Sequence, residues 1–140
     1  MRNHLIKSVV AAICLAMVLV PAPVTAQSSD LGLSIRVTPT LTAPGTTVGV
    51  VAMVTNNTSS KVRTTVTFTS LSPCGVTTGI GYNRLTLNPG QTVMVTTTYP
   101  IAPDACIGQY AVSISAKSGG GGKNATAAAA PSATAYLMVQ

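Results

Sequence analysis

Short segments of alternating apolar and polar residues, separated by turn residues, fill this sequence from residue 31 to its end. A period of two is typical of β-strands with one buried face, because successive side chains point to opposite sides of a strand. Pro, Gly and Asn clusters separate the segments, and no segment has the apolar spacing of an amphipathic helix. The sequence therefore predicts an all-β fold, an antiparallel two-sheet sandwich of about seven strands. The predicted strands are residues 31–38, 46–55, 61–71, a short edge strand at 80–82 and 84–87, 91–99, 110–116 and 134–139.

Two of the predicted strands differ in how clearly their apolar residues separate onto one face. In residues 61–71, Val62, Val66 and Phe68 alternate with Thr, Lys and Arg, which gives the clearest separation of an inner from an outer face. In residues 46–55 the second face also carries apolar residues, Val51 and Met53. That second pattern predicts either a central strand covered on both sides or an exposed apolar patch.

The first 26 residues have the pattern of a secretory signal peptide. A short basic opening precedes an apolar run at residues 9–20, and Val24 and Ala26 suit a cleavage site before Gln27. An uncleaved membrane anchor is the alternative, but the apolar run is shorter than the roughly 20 residues that span a bilayer. We therefore expect residues 1–26 to be removed, leaving one domain at 27–140 in a secreted, periplasmic or cell-surface protein. Within it, the low-complexity stretch 117–131 is predicted to form a flexible loop or hairpin tip.

Two cysteines, Cys74 and Cys106, remain after residue 26. Exported proteins meet an oxidising compartment, so the pair predicts a disulfide. On the chain-entropy model, closing a loop of this length stabilises a fold by roughly 3–4 kcal/mol. The alternative, a redox or metal-binding thiol pair, lacks the close C-x-x-C spacing and a partner histidine.

The residues after 26 offer little catalytic chemistry. They contain no histidine and no glutamate, and the two aspartates, Asp30 and Asp104, are far apart and each lies beside a turn. General acid–base catalysis needs a group that titrates near the working pH, and no G-x-S-x-G nucleophile motif is present. Three methionines (Met53, Met94, Met138) occur as single strand residues, so they indicate packing rather than a copper site. We therefore expect no catalytic residue, no metal site and no cofactor.

The basic charge is the remaining signal for a partner. Six Lys or Arg residues against two Asp give residues 27–140 a formal net charge of +4, which can attract nucleic acid or an anionic cell-wall polymer. The cations are spread singly, and only Lys61 and Arg63 are close in sequence, so a solvated surface is the favoured interpretation, with no nucleic-acid partner. A carbohydrate site is not favoured, since it requires Tyr82 and Tyr136 to lie together on the outside.

Three motifs resemble bacterial extracellular immunoglobulin-like modules, especially CARDB-type domains. Residues 43–48 (A-P-G-T-T-V) lead into a strand that ends V-T-N-N at 54–57, residues 87–92 read L-N-P-G-Q-T, and residues 108–112 read G-Q-Y-A-V. The resemblance spans nearly all of residues 27–140 and implies an immunoglobulin-like sandwich without catalytic residues. It also implies that Tyr110 is a structural tyrosine that bonds backbone at a corner. Unlike antibody domains, the chain has no tryptophan, and its cysteines lie outside the usual strand-centre positions.

These observations predict an exported immunoglobulin-like binding or structural module with no catalytic activity. Its partner would be a protein or a cell-envelope component, without membrane contact once the signal is cleaved. The alternative is a subunit of a cell-surface assembly, joined by β-strand addition at a sheet edge. For that alternative the terminal strand 134–140 is the candidate edge, with Tyr136 and Met138 as its contact residues.

Overall fold

The computed structural model describes residues 30–118 and 130–140. These form two packed β-sheets, which confirms the predicted all-β sandwich. The eight strands are β1 (Leu31–Thr38), β2 (Leu41–Thr42), β3 (Thr47–Asn56), β4 (Val62–Leu71), β5 (Thr77–Leu87), β6 (Thr92–Pro100), β7 (Gly108–Ser118) and β8 (Ser132–Val139). The predicted signal peptide lies outside the described residues.

Strand order divides the sandwich into a three-stranded sheet, β1-β3-β6, and a five-stranded sheet, β2-β8-β7-β4-β5. All neighbours pair antiparallel except β2, which runs parallel to the end of β8. The two-residue strand β2 is the element that the sequence did not predict, because two residues cannot display a period. It follows β1 directly and carries the chain from one sheet to the other.

The core lies between the sheets and is built from the inward residues of each strand. Its largest fully buried side chains include Phe68, Leu87, Ile114 and Leu137, all from the five-stranded sheet. The three-stranded sheet contributes mainly valines of β3 (Val48, Val50, Val54). Phe68 and the three β3 valines fall on the faces that the alternation predicts, because a period of two fixes which side chains share a face.

Two predicted segments differ from the structure. The edge segment at 80–87 is longer than predicted, since β5 runs without a break over eleven residues. A bulge opposite Phe68 and Thr69 inserts Ile80 as an extra residue, and this breaks the period of two on which the prediction rested. At the predicted loop 117–131, β7 extends to Ser118 and β8 begins at Ser132. The buried Thr64 hydroxyl donates to the Lys117 carbonyl (3.0 Å), which holds this end of β7 on β4; the rest of that loop, 119–129, lies outside the described residues.

Candidate functional site

The disulfide joins two connections at one end of the sandwich, which we call the disulfide end. Cys74 lies in the β4–β5 turn and Cys106 in the β6–β7 connection, with Cα atoms 6.2 Å apart. This confirms the predicted pairing and its peripheral position. Nearby, Gly108 has φ +134°, and a Cβ there would lie 3.1 Å from the Pro73 ring, so the two connections pack closely at a position that favours glycine.

Tyr110 supports the same corner from inside. Its side chain is only 3 % exposed, and its hydroxyl donates a 2.9 Å hydrogen bond to the backbone carbonyl of Cys106. Burial raises the pKa of Tyr110, and the neighbouring Tyr99 adds to the rise. This is the geometry expected for a structural tyrosine at a corner of an immunoglobulin-like sandwich.

We expect Tyr110→Phe to lower the free energy of unfolding by about 1 kcal/mol, because the hydrogen bond to Cys106 is lost while the ring stays packed. The raised pKa adds a pH dependence. The unfolded state releases the tyrosine proton first, so this contribution to stability is complete below the unfolded pKa of about 10 and is lost as pH rises through the folded pKa. Denaturant unfolding at pH 7 and above pH 10 measures both effects. Tyr136→Phe, at an exposed tyrosine, is the control and should change neither; an equal alkaline loss in Tyr110→Phe and wild type would contradict the assignment.

The outer face of the five-stranded sheet gathers cations that are distant in sequence. Lys117 of β7 and Arg84 of β5 both pair with Thr65 of β4, so the three residues form one row across three strands. Arg63 lies two residues from Thr65 on the same face of β4, and all three cations are exposed. We call Arg63, Arg84 and Lys117 the cationic row. Three of the five Lys and Arg residues in the described ranges lie here and no Asp does, so strand pairing brings together cations that are distant in sequence.

A shallow groove of about 400 Å³ lies beside the cationic row on the same sheet. It is lined by Thr65, Thr67, Gly79, Ile80, Gly81 and Tyr82, and we call it the Tyr82 groove. Tyr82 pairs with Thr67 just after the β5 bulge and is 67 % exposed. A Cβ on Gly79 would meet no atom within 4 Å, so the groove is open on that side.

Exposed apolar residues lie on this same face at the disulfide end. Tyr136 of β8 pairs with Ala111 of β7, which pairs with Leu71 of β4, and Met138 of β8 pairs with Leu41 of β2. Tyr136 is 58 % exposed. Three strand spacings, roughly 14 Å, separate β8 from the β5 strand that carries Tyr82. The two tyrosines therefore share an outer face but do not lie together.

The terminal strand is less open than predicted. β8 is the second strand of its sheet, and β2 pairs with its last residues, Met138 and Val139. The Met138 amide donates to the Thr40 carbonyl (2.8 Å), so the backbone at this predicted contact residue already has a partner. The strand at the full-length free edge of this sheet is β5.

The outer face of the three-stranded sheet carries an exposed methionine pair. Met53 of β3 pairs with Met94 of β6, and the two are 47 % and 65 % exposed. The sequence predicted that the second face of β3 is either covered or an exposed apolar patch. The structure shows the exposed patch. Arg36, on β1, is the exposed cation of this face.

The described residues offer few groups for chemistry. No group of three or more His, Cys, Asp or Glu side chains that could hold a metal ion occurs in residues 30–118 and 130–140. Asp30 precedes β1 and Asp104 lies in the β6–β7 connection, at opposite ends of the sandwich. Within the same ranges no helix is long and apolar enough to cross a membrane.

Comparison with known proteins identifies the fold. No family model and no curated protein matches the sequence, but solved structures do match. The CARDB domain of a Pyrococcus furiosus protein, crystallised in complex with di-metal ions, matches with a TM-score of 0.60 and 17 % identity, over 79 % of this chain and 88 % of that one. Part of a Pseudomonas fluorescens alkylpurine DNA glycosylase bound to abasic-site DNA matches with a TM-score of 0.61 and 10 % identity, over 80 % of this chain and 31 % of that one. Escherichia coli alpha-2-macroglobulin matches with a TM-score of 0.60 and 14 % identity, over 81 % of this chain and 7 % of that one. At these identities the likeness concerns the fold alone, and the chain has the immunoglobulin-like fold of the CARDB domain, as its motifs predicted.

Proposed function

We propose that this chain is an exported, non-catalytic binding module that contacts an acidic component of the cell envelope through the outer face of its five-stranded sheet. The observation that carries the proposal is the cationic row, which strand pairing assembles from Arg63, Arg84 and Lys117. A surface with one sign of charge raises the local concentration of oppositely charged partners. The predicted signal peptide supports the export that this function requires.

The absence of catalysis belongs to the same proposal. After residue 26 the chain has no histidine or glutamate, and its two aspartates lie at opposite ends of the sandwich. The outer face itself presents Thr, Ser, Tyr and cations, which can bind by hydrogen bonds and charge.

Binding to washed cell envelopes of the producing organism tests the proposal. We expect the purified protein to bind, and Arg84→Glu to weaken binding at least about tenfold, because reversing a charge replaces attraction with repulsion. Arg36→Glu makes the same charge change on the opposite sheet and should leave binding within about twofold. Equal losses in both variants, or no loss in either, would overturn the proposal.

The edge strand β5 favours a second candidate function, assembly by β-strand addition. It ends the five-stranded sheet, and its eleven residues include a single charged side chain, Arg84. Exposed edges with few charges are templates for added strands. Under this function, size-exclusion measurements should show growth with concentration that Thr78→Lys abolishes. A protein that stays monomeric across the concentration series would contradict it.

A further inference from the structure

We infer that the Tyr82 groove and the cationic row together form a binding site for an acidic polysaccharide. A sugar ring would stack on Tyr82, and carboxylates along the polymer would pair with Arg63, Arg84 and Lys117. The inference rests on the proposed function and names the chemical class of the ligand.

The spacing of the cations suits a linear polyanion rather than a single small anion. Lys117 and Arg84 lie in one row on strands two positions apart, so their Cα atoms are roughly 10 Å apart. Arg63, the third member, lies two residues from Thr65 along β4, roughly 7 Å to one side of the line between Lys117 and Arg84. Flexible, exposed side chains at these spacings can each pair with a separate carboxylate of a polymer that crosses β7, β4 and β5.

The paired platform of Tyr82 and Tyr136 is absent, but on an acidic polymer the cations supply most of the attraction, and Tyr82 alone adds a surface for stacking. It lies two residues before Arg84 on the same face of β5, and its ring is mostly exposed. An aromatic face packs well against the apolar C–H face of a pyranose, while the hydroxyl rim of the sugar remains free to hydrogen-bond. Thr65 and Thr67 line the groove beside Tyr82, and threonine hydroxyls can make those hydrogen bonds.

The shape of the groove follows from local sequence. The β5 bulge inserts Ile80, whose side chain packs partly against the core, while Tyr82 keeps its outward direction. Bulges often redirect side chains in this way. Gly79 lies outward opposite Thr69 and has no side chain to fill the groove. A polymer can therefore enter over Gly79, pass Tyr82 to Arg84, and turn there across β4 toward Lys117.

A polysaccharide fits this surface better than a nucleic acid does. Proteins that bind single strands stack successive bases on several aromatic side chains, whereas Tyr82 is the single aromatic residue beside the cationic row among the described residues. The other exposed tyrosine of this face, Tyr136, lies at the disulfide end.

The test measures binding of polygalacturonate to the purified protein by calorimetry, with neutral dextran and oligothymidylate as comparison ligands. We expect polygalacturonate to bind, dextran not to bind, and affinity to fall as salt rises. Arg84→Glu, Lys117→Glu and Tyr82→Ala should each weaken binding at least about tenfold. Gly79→Leu should also weaken it by filling the groove, without any change in charge. Arg36→Glu and Tyr136→Ala are the matched charge and aromatic controls and should change affinity less than about twofold.

Several outcomes would overturn the inference. These are no binding of polygalacturonate, an equal loss in Arg36→Glu, insensitivity to Tyr82→Ala, or tighter binding of oligothymidylate through the same residues. The variants must keep the wild-type unfolding midpoint, which is expected because all these positions are exposed or open. If Arg84→Glu reduces binding to envelopes while polygalacturonate fails to bind, the proposed function stands and this inference fails. If envelopes bind equally to every outer-face variant, the proposed function itself fails.

Discussion

Replacing both disulfide cysteines, Cys74→Ala with Cys106→Ala, is expected to lower the free energy of unfolding by about 3–4 kcal/mol. The bond closes a loop with a sequence separation of 32, and the chain-entropy model gives this value for a loop of that size. Cys74 is exposed and Cys106 only partly buried, so alanines there leave no core cavity. The loss of stability should therefore come from the greater conformational entropy of the unfolded chain without the cross-link, and not from lost packing. Guanidinium unfolding of the oxidised protein and the double variant measures it.

The wild-type protein unfolded in the presence of a reductant is the matched control. It should lose the same free energy as the double variant, since both lack the cross-link and neither disturbs the core. The Tyr110 hydroxyl donates to the backbone carbonyl of Cys106 and not to its sulfur, so this hydrogen bond should survive in both. If the oxidised and reduced proteins unfold at the same denaturant concentration, the bond does not contribute to the stability of this fold.

The strand faces could be predicted because each depends on neighbouring residues alone. The alternation of Val62, Val66 and Phe68 with polar residues is enough to place them inside, wherever β4 lies in the sheet. Local turn residues likewise marked most strand ends. The bulge at Ile80 could not be predicted in this way, because it is a mismatch between two strands, β4 and β5, and is not a property of either one.

The candidate site depends on the order of strands in the sheet, and the alternation of apolar and polar residues carries no information about that order. Arg63 shows outward phase in the sequence, whereas Lys117 was predicted to lie in the loop 117–131. Only the extension of β7 to Ser118 and the order β7-β4-β5 make Arg63, Arg84 and Lys117 neighbours. The same order decides that the end of β8 pairs with β2 and is not a free edge. Which strands pair is decided by the packing of the whole core. The sequence pattern therefore shows which residues the site contains but not that they lie next to each other.

Asn56 shows the same limit at a single buried residue. Its sequence context, N-N-T-S-S, predicts a turn, and its side-chain oxygen does accept from the backbone amide and hydroxyl of Thr58 (2.9 and 2.7 Å). The structure adds that Asn56 is completely buried at the end of β3. Its amide nitrogen donates to the carbonyls of Ser60 (2.8 Å) and Leu87 (3.1 Å). One side chain thus ties the β3–β4 turn to the last residue of β5.

We expect Asn56→Ala to lower the free energy of unfolding by about 3 kcal/mol. The substitution removes four side-chain hydrogen bonds. The Ser60 carbonyl keeps the Thr58 hydroxyl as a donor, but the buried bond to the Leu87 carbonyl and the bond to the Thr58 amide are lost, at about 1–3 kcal/mol for each group that stays buried. Asn56→Asp should be at least as harmful, because it keeps the acceptor, loses both donors and buries a charge. Ser59→Ala lies in the same turn at an exposed position and should stay within about 0.5 kcal/mol of wild type. Denaturant unfolding of the three variants measures the effect. An Asn56→Ala protein as stable as Ser59→Ala would mean that the turn holds its position through backbone hydrogen bonds alone.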